Sequence, residues 1–184
     1  MMSCASDLLI NNVSILKSLN SNLPILDLAC GKGRNGLFLV EQGLSVTFAD
    51  RNKECLTVIA NELNKSAITN SNQQTEIWPV DFEDSAFNPL SGKEYSAIIV
   101  FRYLHRPLFE QLKKSIEPGG ILIYETFTEE QATLGRPKNP DFLLKKGELG
   151  DLFSDWKITH TFEGIVASDS GKQAIAQIIA FKPH

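Results

Sequence analysis

The sequence predicts an α/β fold with a mostly parallel sheet, helices on both faces of the sheet and an antiparallel hairpin at the C-terminal end. Short apolar runs that are typical of buried strands alternate along most of the 184 residues with segments of helical periodicity, which is the rhythm of βαβ units. Residues 155–183 depart from this rhythm, because two strand patterns stand there with only ASDSG between them. That separation predicts a hairpin.

The first half of the chain begins with an amphipathic helix and continues with alternating strands and helices. Apolar residues at near-helical spacing predict the helix within residues 1–22: Leu8, Leu9, Val13, Leu16 and Leu19. The elements predicted after it are, in order, the strand PILDLA (24–29), the helix GRNGLFLVEQG (33–43), the strand LSVTFAD (44–50), the helix NKECLTVIANELNK (52–65) and the strand TEIWPVDF (75–82). Parallel strands joined in this way require right-handed crossovers.

The second half continues with YSAIIVF (95–101), a nearly continuous apolar run that predicts a strand buried on both faces. A helix pattern, PLFEQLKKSI (107–116), follows it. EPGG (117–120) then has the Pro and Gly of a type II turn, and it precedes the strand ILIYETF (121–127). Residues 128–147 form a long irregular segment, which predicts a lid or substrate loop because such loops in compact domains are commonly functional.

Composition limits the class of protein. A chain of this length suits a single domain, residues 1–184, and its net charge of −4 gives no global positive field that would attract nucleic acid. The three cysteines include no C-x-x-C pair, and an odd thiol suits a reducing compartment, so we expect a cytoplasmic location. The N-terminal residues lack the basic region of a signal peptide, and no apolar run reaches membrane-spanning length.

A glycine-rich loop follows the first predicted strand. Residues 26–36 read LDLACGKGRNG, and Gly31 to Gly36 spell G-x-G-x-x-G, a pattern of dinucleotide-binding folds that other folds also use. The glycines permit a tight loop and the following helix offers N–H groups to an anion, so the loop alone leaves the ligand open. Asp27 lies four residues before Gly31. A pyrophosphate gains nothing from this carboxylate, whereas a ligand with an amino group, such as S-adenosylmethionine, does.

Two further acids stand at the ends of predicted strands. Asp50 ends the second strand 19 residues after Gly31, close to the offset of about 20 at which a carboxylate meets a ribose diol. The alternative is that Asp50 caps the helix beginning near Asn52. Asp81 and Phe82 close the third strand, where the carboxylate could accept a hydrogen bond from an adenine amine and the ring could contact the base. The alternative there is an ordinary turn acid.

Four segments of the chain resemble the tellurite-resistance-type branch of the class I S-adenosylmethionine-dependent methyltransferases: LDLACGKGRNGLFLVEQG, VTFADRN, EPGG and FLLKKGEL. The resemblance covers residues 23–182 and implies a Rossmann-like, doubly wound sheet of seven strands with an antiparallel last strand. It also implies S-adenosyl-L-methionine as the cofactor. The positions that match the family's binding motifs are Asp27, Ala29, Gly31 and Gly33 for the methionyl loop, Asp50 for the ribose, and Asp81 with Phe82 for the adenine. Ala29 replaces the glycine that is usual in the family, and alanine tolerates most of the same turn.

The acceptor is expected at the carboxyl ends of the fourth and fifth strands, where open α/β sheets form their crevice. FRYLHRP and YETFT stand at these two ends. His105 and Tyr103 are the candidate catalytic residues, since histidine titrates near neutral pH and an aromatic face favours a sulfonium cation, although both could be structural. The candidate substrate residues are three arginines, whose donor forks suit oxyanions, and one tyrosine: Arg102, Arg106, Arg136 and Tyr124. The pattern predicts no metal site.

The sequence therefore favours an enzyme that moves a methyl group by in-line displacement to a small-molecule acceptor, which is expected to be anionic. A non-catalytic, regulatory S-adenosylmethionine-binding protein is the first alternative, because it would have the same loop and acids. An RNA methyltransferase is a weaker alternative and would use the basic residues of segment 128–147. An NAD-dependent oxidoreductase is disfavoured by Asp27, Asp81 and the terminal hairpin.

Overall fold

The computed structural model describes residues 4–65, 73–84, 86, 88–168 and 171–184. The strands among these residues are β1 (Ile25–Leu28), β2 (Val46–Asp50), β3 (Thr75–Pro79), β4 (Tyr95–Phe101), β5 (Ile116–Phe127), β6 (Lys157–Ser168) and β7 (Gly171–Phe181). The α-helices are α1 (Asp7–Lys17), α2 (Arg34–Glu41), α3 (Lys53–Lys65), α4 (Phe109–Ser115), α5 (Gln131–Leu134) and α6 (Glu148–Leu152). Short 3₁₀ turns lie at Arg106–Leu108 and Pro140–Phe142.

Within the described part of the chain, all seven strands form one sheet in the order β3-β2-β1-β4-β5-β7-β6. Strands β1 to β5 pair in parallel, whereas β7 is antiparallel to both β5 and β6. The predicted α/β fold with an antiparallel terminal hairpin is thus confirmed. The order differs from the 3-2-1-4-5-6 order of the dinucleotide-binding fold, because β7 lies between β5 and β6.

The central strands of the sheet are buried between two apolar layers, which accounts for their continuous apolar runs. Every residue of β1 and β4 is buried. Helices α1, α2 and α3 cover one face with, among others, Leu9, Leu16, Leu39 and Ile59, and the other face packs against Leu108, Phe109, Leu112, Phe153 and Trp156. Full burial of one such side chain stabilises a fold by about 1.5–3 kcal/mol, so the central strands are the most firmly held part of the sheet.

The EPGG segment has the predicted turn conformation at Gly119, whose φ of +76° is that of the third residue of a type II turn. It lies inside β5, which begins at Ile116, and the pairing with β4 passes from Tyr95↔Ile116 to Ala97↔Ile121. Lys182, the residue after β7, pairs with this segment: the Gly119 N–H donates to the Lys182 carbonyl at 3.0 Å, and the Lys182 N–H donates to the Gly120 carbonyl at 2.9 Å. These bonds to Lys182, just after β7, hold the turn as a bulge within β5, between the two parts of the strand that pair with β4.

The terminal hairpin leaves β6 at the edge of the sheet. Most of its residues are exposed, including the apolar Ile158, Phe162 and Ile165, and its pairing with β7 is irregular between Ile158 and His160. Among the described residues, no helix combines the length and apolarity that crossing a membrane would require.

Candidate functional site

The glycine loop between β1 and α2 takes its shape from alternate residues with left-handed backbones. Ala29 has φ +53°, Gly31 has φ +53° and Gly33 has φ +76°. A side chain in this region costs about 1–2 kcal/mol, so Ala29 stores strain where glycine would store none. Alanine therefore occupies the same turn, as predicted, but at a cost. The Gly33 N–H donates to the Cys30 carbonyl at 2.9 Å, which closes the loop just before α2 begins.

Asp27 lies beneath this loop and is almost completely buried. Its Oδ2 accepts a hydrogen bond of 2.9 Å from the Gly36 N–H, in the first turn of α2. Burial raises the pKa of Asp27 from 3.8 to about 7, against the opposing effects of the Gly36 bond and the nearby Arg34. A cationic group brought to this carboxylate would stabilise its charged form, because opposite charge offsets the cost of burial.

A cleft of about 720 Å³ opens above Asp27. Its lining comes from the loop, α2, α3 and the end of β4: Asp27, Ala29, Cys30, Gly31, Lys32, Arg34, Asn35, Val58, Phe101 and Arg102. Asp27 is the buried acid of this lining, and Lys32, Arg34 and Arg102 are its three cations. This distribution of charge suits a zwitterion such as an amino acid group.

Asp50 holds the loop from the end of β2. Its Oδ2 accepts from the Gly31 N–H at 2.8 Å, and its Oδ1 accepts from the Asn52 N–H at 2.8 Å. The cap of α3 is Asn52 itself, whose Oδ1 accepts from the N–H groups of Glu54 and Cys55. A carboxylate has about four acceptor positions, so two remain for a ligand. Asp50 is therefore not the cap of α3. It holds the glycine loop through Gly31, and its remaining acceptor positions are compatible with ribose binding.

A second cavity of about 310 Å³ continues from the cleft and shares Ala29 and Arg102 with it. The other lining residues are Asp50, Arg51, Val80, Asp81, Phe82, Glu83, Tyr103 and Phe142. Phe82 is fixed by an edge-to-face contact with Trp78, with the ring centroids 5.7 Å apart. Asp81 accepts from the Glu83 N–H at 2.9 Å and lies 3.7 Å from the Arg51 guanidinium. The structure therefore brings the predicted ribose and adenine residues together around one space.

A third cavity, hereafter the distal chamber, adjoins this space and has a volume of about 220 Å³. It is lined by Glu83, Arg102, Tyr103, Leu104, Thr126, Phe127, Pro137 and Phe142. Pro137 and Phe142 belong to the predicted lid segment, so part of that segment covers the ends of β4 and β5. Whether it moves as a lid stays a prediction.

The two predicted tyrosines have different environments. Tyr103 lines both the second cavity and the distal chamber, and its pKa is raised by burial and by Glu83 and Asp81. Tyr124 is buried in the core, where its hydroxyl donates to the Tyr103 carbonyl at 2.8 Å. Burial raises the pKa of Tyr124 as well. Tyr124 thus supports the backbone of Tyr103 and lines none of the three cavities.

Arg106 fastens the FLLKKGEL segment to the end of β4. Its Nε and Nη2 donate to the two carboxylate oxygens of Glu148 at 2.6 and 2.8 Å, and further donors reach the carbonyls of Leu143 and Asp141. The bond from Arg106 lowers the pKa of Glu148 and raises that of Arg106. These four contacts occupy the guanidinium, so the predicted substrate role of Arg106 has no support from its surroundings.

His105 and Arg136 lie outside the three cavities that the described residues form. His105 precedes the 3₁₀ turn, where its carbonyl accepts from the Leu108 N–H. Arg136 is exposed beside Pro137, and its carbonyl accepts from the Gln131 side chain at 3.0 Å. Their predicted roles stay predictions, and neither side chain is brought to the distal chamber as Arg102 and Tyr103 are.

Sequence reasoning missed Glu125 and Phe142. Glu125 is buried in β5 and its Oε1 lies 3.2 Å from Nη2 of Arg102. The available signal was a charged residue inside the apolar run ILIYETF, because an acid is almost never buried without a partner. Phe142 lines two cavities, yet nothing in its irregular sequence context distinguishes it from any exposed aromatic residue.

The sheet order, the antiparallel last strand and a glycine loop facing two strand-end acids together define the class I S-adenosylmethionine-dependent methyltransferase fold. The chain belongs to the tellurite resistance protein TehB family, whose family model matches residues 4–168. The family and the fold predicted from the sequence are confirmed.

Comparison with single proteins agrees with this family. A curated relative from Haemophilus influenzae, described as a probable S-adenosyl-L-methionine-dependent methyltransferase TehB, is 26% identical over 143 residues, which are 74% of this chain and 47% of the relative. The chain therefore spans about half the length of the curated relatives it matches.

Solved structures show the same fold. The crystal structure of TehB from Haemophilus influenzae has a TM-score of 0.71 at 21% identity and covers 94% of this chain and 62% of its own. A SAM-dependent methyltransferase from Methanosarcina mazei has a TM-score of 0.69 at 17% identity, covering 92% and 97% respectively. Magnesium protoporphyrin IX methyltransferase from Synechocystis, with bound SAH, has a TM-score of 0.66 at 16% identity and covers 95% and 81%.

Proposed function

We propose that this protein is an S-adenosylmethionine-dependent methyltransferase that acts on a small, negatively charged acceptor. The observation that carries the proposal is the continuity of the site: the cleft above Asp27 and the cavity beside Asp50 and Asp81 share Ala29 and Arg102, and the distal chamber adjoins both. Family membership supports the same conclusion. A cytoplasmic location is part of the proposal and rests on the cysteine usage of the sequence.

The residues of the site fit S-adenosylmethionine in its three parts. Asp27 offers a buried carboxylate to the ammonium group of the methionyl part, beside the cationic walls of the cleft. Asp50 has two acceptor positions left for the ribose hydroxyls. Asp81 and Phe82 offer a carboxylate and an aromatic edge to the adenine. The shared lining residues let one extended molecule contact all of these groups.

The bound cofactor supplies a sulfonium methyl group that is open to in-line attack. The protein's contribution is mainly to hold the two reactants in line, an effect that can supply about 7–11 kcal/mol of a reaction barrier. Tyrosine is protonated at neutral pH, and burial raises the pKa of Tyr103 further, so it can donate a hydrogen bond or present its ring but does not serve as a base. Glu83 is the one carboxylate among the described residues that line the distal chamber.

The size of the distal chamber supports a small-molecule acceptor. Its volume of about 220 Å³ lies below the range of about 300–1,000 Å³ that drug-sized ligands occupy. A non-catalytic S-adenosylmethionine-binding protein is the second candidate, and the distal chamber argues against it, since a regulator needs no space next to its ligand.

The first test measures binding and transfer together. We expect calorimetry to show binding of S-adenosylhomocysteine, with NAD binding weakly or not at all, and we expect labelled methyl transfer in a screen of small acceptors. Cofactor binding with no transfer to any thiol, amine, carboxylate, oxyanion or RNA would favour the regulatory protein. Tight binding of NAD alone would overturn the proposal.

Asp50→Ala should weaken S-adenosylhomocysteine binding by about 10- to 100-fold, because a hydrogen bond to a charged group is worth about 1.5–3 kcal/mol. It should also lower the melting temperature, since the N–H groups of Gly31 and Asn52 lose their acceptor. Asn52→Ala is the matched control: it removes the cap of α3 and costs about 1 kcal/mol of stability but should leave the affinity unchanged. Equal affinity losses in the two variants would mean that Asp50 acts only through the stability of the β2–α3 turn.

A further inference from the structure

We propose that the distal chamber binds the acceptor as a small planar carboxylate, with Arg102 as the receptor of the carboxylate and Glu125 as the residue that positions Arg102. This inference rests on the proposed methyltransferase function and specifies its substrate class. The contacts of Arg102 support its role as the receptor of a carboxylate. The aromatic lining of the chamber supports a planar ligand, and the volume of the chamber supports a small one.

Arg102 is fixed at three points. It is the first residue after β4, with a left-handed φ of +61°, and its N–H donates to the Glu125 carbonyl at 2.8 Å. Its Nη2 lies 3.2 Å from Oε1 of Glu125, and its Cζ lies 4.5 Å above the ring centre of Phe127. A left-handed arginine is uncommon and costs free energy, and such strain persists where the surroundings hold it. The guanidinium is therefore presented in one orientation.

One nitrogen of this guanidinium lacks a protein partner among the described residues. Nη1 of Arg102 is buried and has no hydrogen-bond partner among the described residues. A buried donor without a partner costs about 1–3 kcal/mol, and charged groups cost more. The side chain as a whole is 29% exposed and lines all three cavities, so it stands at the wall between the cofactor space and the distal chamber. A ligand carboxylate can pair with the part of the guanidinium that is exposed in the distal chamber, because arginine donates strong hydrogen bonds to carboxylates.

Glu125 is itself held from the opposite side. Its Oε2 accepts from Gln177 Nε2 at 2.7 Å and from Ser6 Oγ at 3.3 Å, and Gln177 Oε1 lies 3.1 Å from His160 Nε2. Contacts from β7 and from the residue before α1 thus keep the carboxylate in place. A buried ion pair adds little net stability, because desolvation offsets the attraction. Its structural effect is to fix the direction of the Arg102 donors.

The walls of the distal chamber select the rest of the ligand. Tyr103, Phe127 and Phe142 contribute aromatic surface, and Leu104 and Pro137 contribute apolar surface. Aromatic walls favour a flat apolar group, which can stack against one ring or meet the edge of another. A bare inorganic oxyanion would pair with Arg102 but leave these walls unused. A single ring carrying one carboxylate uses both features within the volume available.

The carboxylate of the cofactor is the other anion that could reach Arg102, because Arg102 also lines the cleft above Asp27. Lys32 and Arg34 lie in that cleft as well and supply cations for the cofactor. We therefore assign Arg102 to the acceptor, and the experiment separates the two sources of carboxylate.

The test uses benzoate as the probe, with neutral benzamide as its matched control. The melting temperature of the full chain saturated with S-adenosylhomocysteine should rise with benzoate and not with benzamide, because a ligand that binds the folded state stabilises it. Arg102→Lys keeps a cation for Glu125 but loses the donor fork, and it should weaken benzoate at least about tenfold. Arg102→Gln combined with Glu125→Gln removes the charge without leaving a buried ion and should abolish the benzoate response. Lys114→Gln, an exposed change at the other end of the sheet, should behave as wild type.

The possible failures can be told apart. Absence of S-adenosylhomocysteine binding by the wild-type protein would overturn the proposed function itself. Normal cofactor binding with no benzoate response, or with an equal response to benzamide, would overturn this inference alone. So would a response to tellurite without one to benzoate, since the aromatic walls would then have no role. A tenfold loss of cofactor affinity in Arg102→Lys, with the benzoate response retained, would assign Arg102 to the cofactor.

Discussion

Asp27→Asn should weaken S-adenosylhomocysteine binding by about 10- to 100-fold and at the same time make the protein more stable above pH 7. The affinity falls because the ammonium group loses a charge-assisted partner in a buried position. The stability rises because the protein no longer has to bury a charged carboxylate. The net gain should be about 1–2 kcal/mol, since the amide brings donors that find no ready acceptor at this position.

The pH dependence is the sharper readout of this variant. Burial raises the pKa of Asp27 from 3.8 to about 7, so between these values the folded protein holds a proton that the unfolded chain has released. The stability contribution of Asp27 therefore falls as the pH rises from about 4 to about 7 and stays low above that. Thermal unfolding between pH 4 and 8 should show this decline in the wild type and a flatter profile in Asp27→Asn. The exposed Asp151→Asn is the control; an unchanged profile in Asp27→Asn would contradict the role of burial.

Gly36→Ala should destabilise the protein by about 3 kcal/mol or more and abolish cofactor binding. A methyl group at Gly36 would overlap Cε1 of Phe48 and lie 2.8 Å from Oδ2 of Asp27. Phe48 is completely buried in β2, so it cannot move aside without disturbing the core, and overpacking of this kind is costly. The displaced Asp27 would also lose its bond from the Gly36 N–H.

Gly150→Ala provides the matched comparison for that change. Gly150 lies in α6, where an added methyl group meets nothing within 4 Å, so the substitution should be neutral or slightly stabilising through helix propensity. Chemical denaturation of both variants measures the difference. A Gly36→Ala protein with wild-type stability would mean that the loop and β2 can separate without cost, contrary to the close packing described here.

The sequence was sufficient for the order of the strands along the chain but not for their order across the sheet. A local apolar run predicts a buried strand such as β4, and the short ASDSG connection predicts the hairpin. The position of β7 between β5 and β6 depends on pairing between distant segments, such as Ile121 with Phe181, which no local pattern encodes. The EPGG turn follows from its Pro and Gly, but its place inside β5 does not, because it is held there by distant Lys182.

The cofactor side of the site could be predicted further than the acceptor side. Asp27, Asp50 and Asp81 stand at fixed offsets from strand ends, and parallel strands bring such ends to one edge. The residue with which a long side chain forms an ion pair cannot be predicted from its distance to a strand end. Arg102 and Arg106 are four residues apart and chemically alike, yet Glu125 presents one to the cavities while Glu148 fastens the other to a loop.

The place of β7 in the sheet has a consequence for synthesis on the ribosome. Strands β1 to β5 pair among themselves, so this part of the nascent chain can begin to assemble while residues 157–181 are still being translated. Until residues 171–181 emerge, β5 presents an unpaired edge and β6 has no neighbour in the sheet. An open edge of this kind is a template for pairing with other chains. The interval before residues 171–181 emerge is thus when the strands already made are most exposed to pairing with other chains.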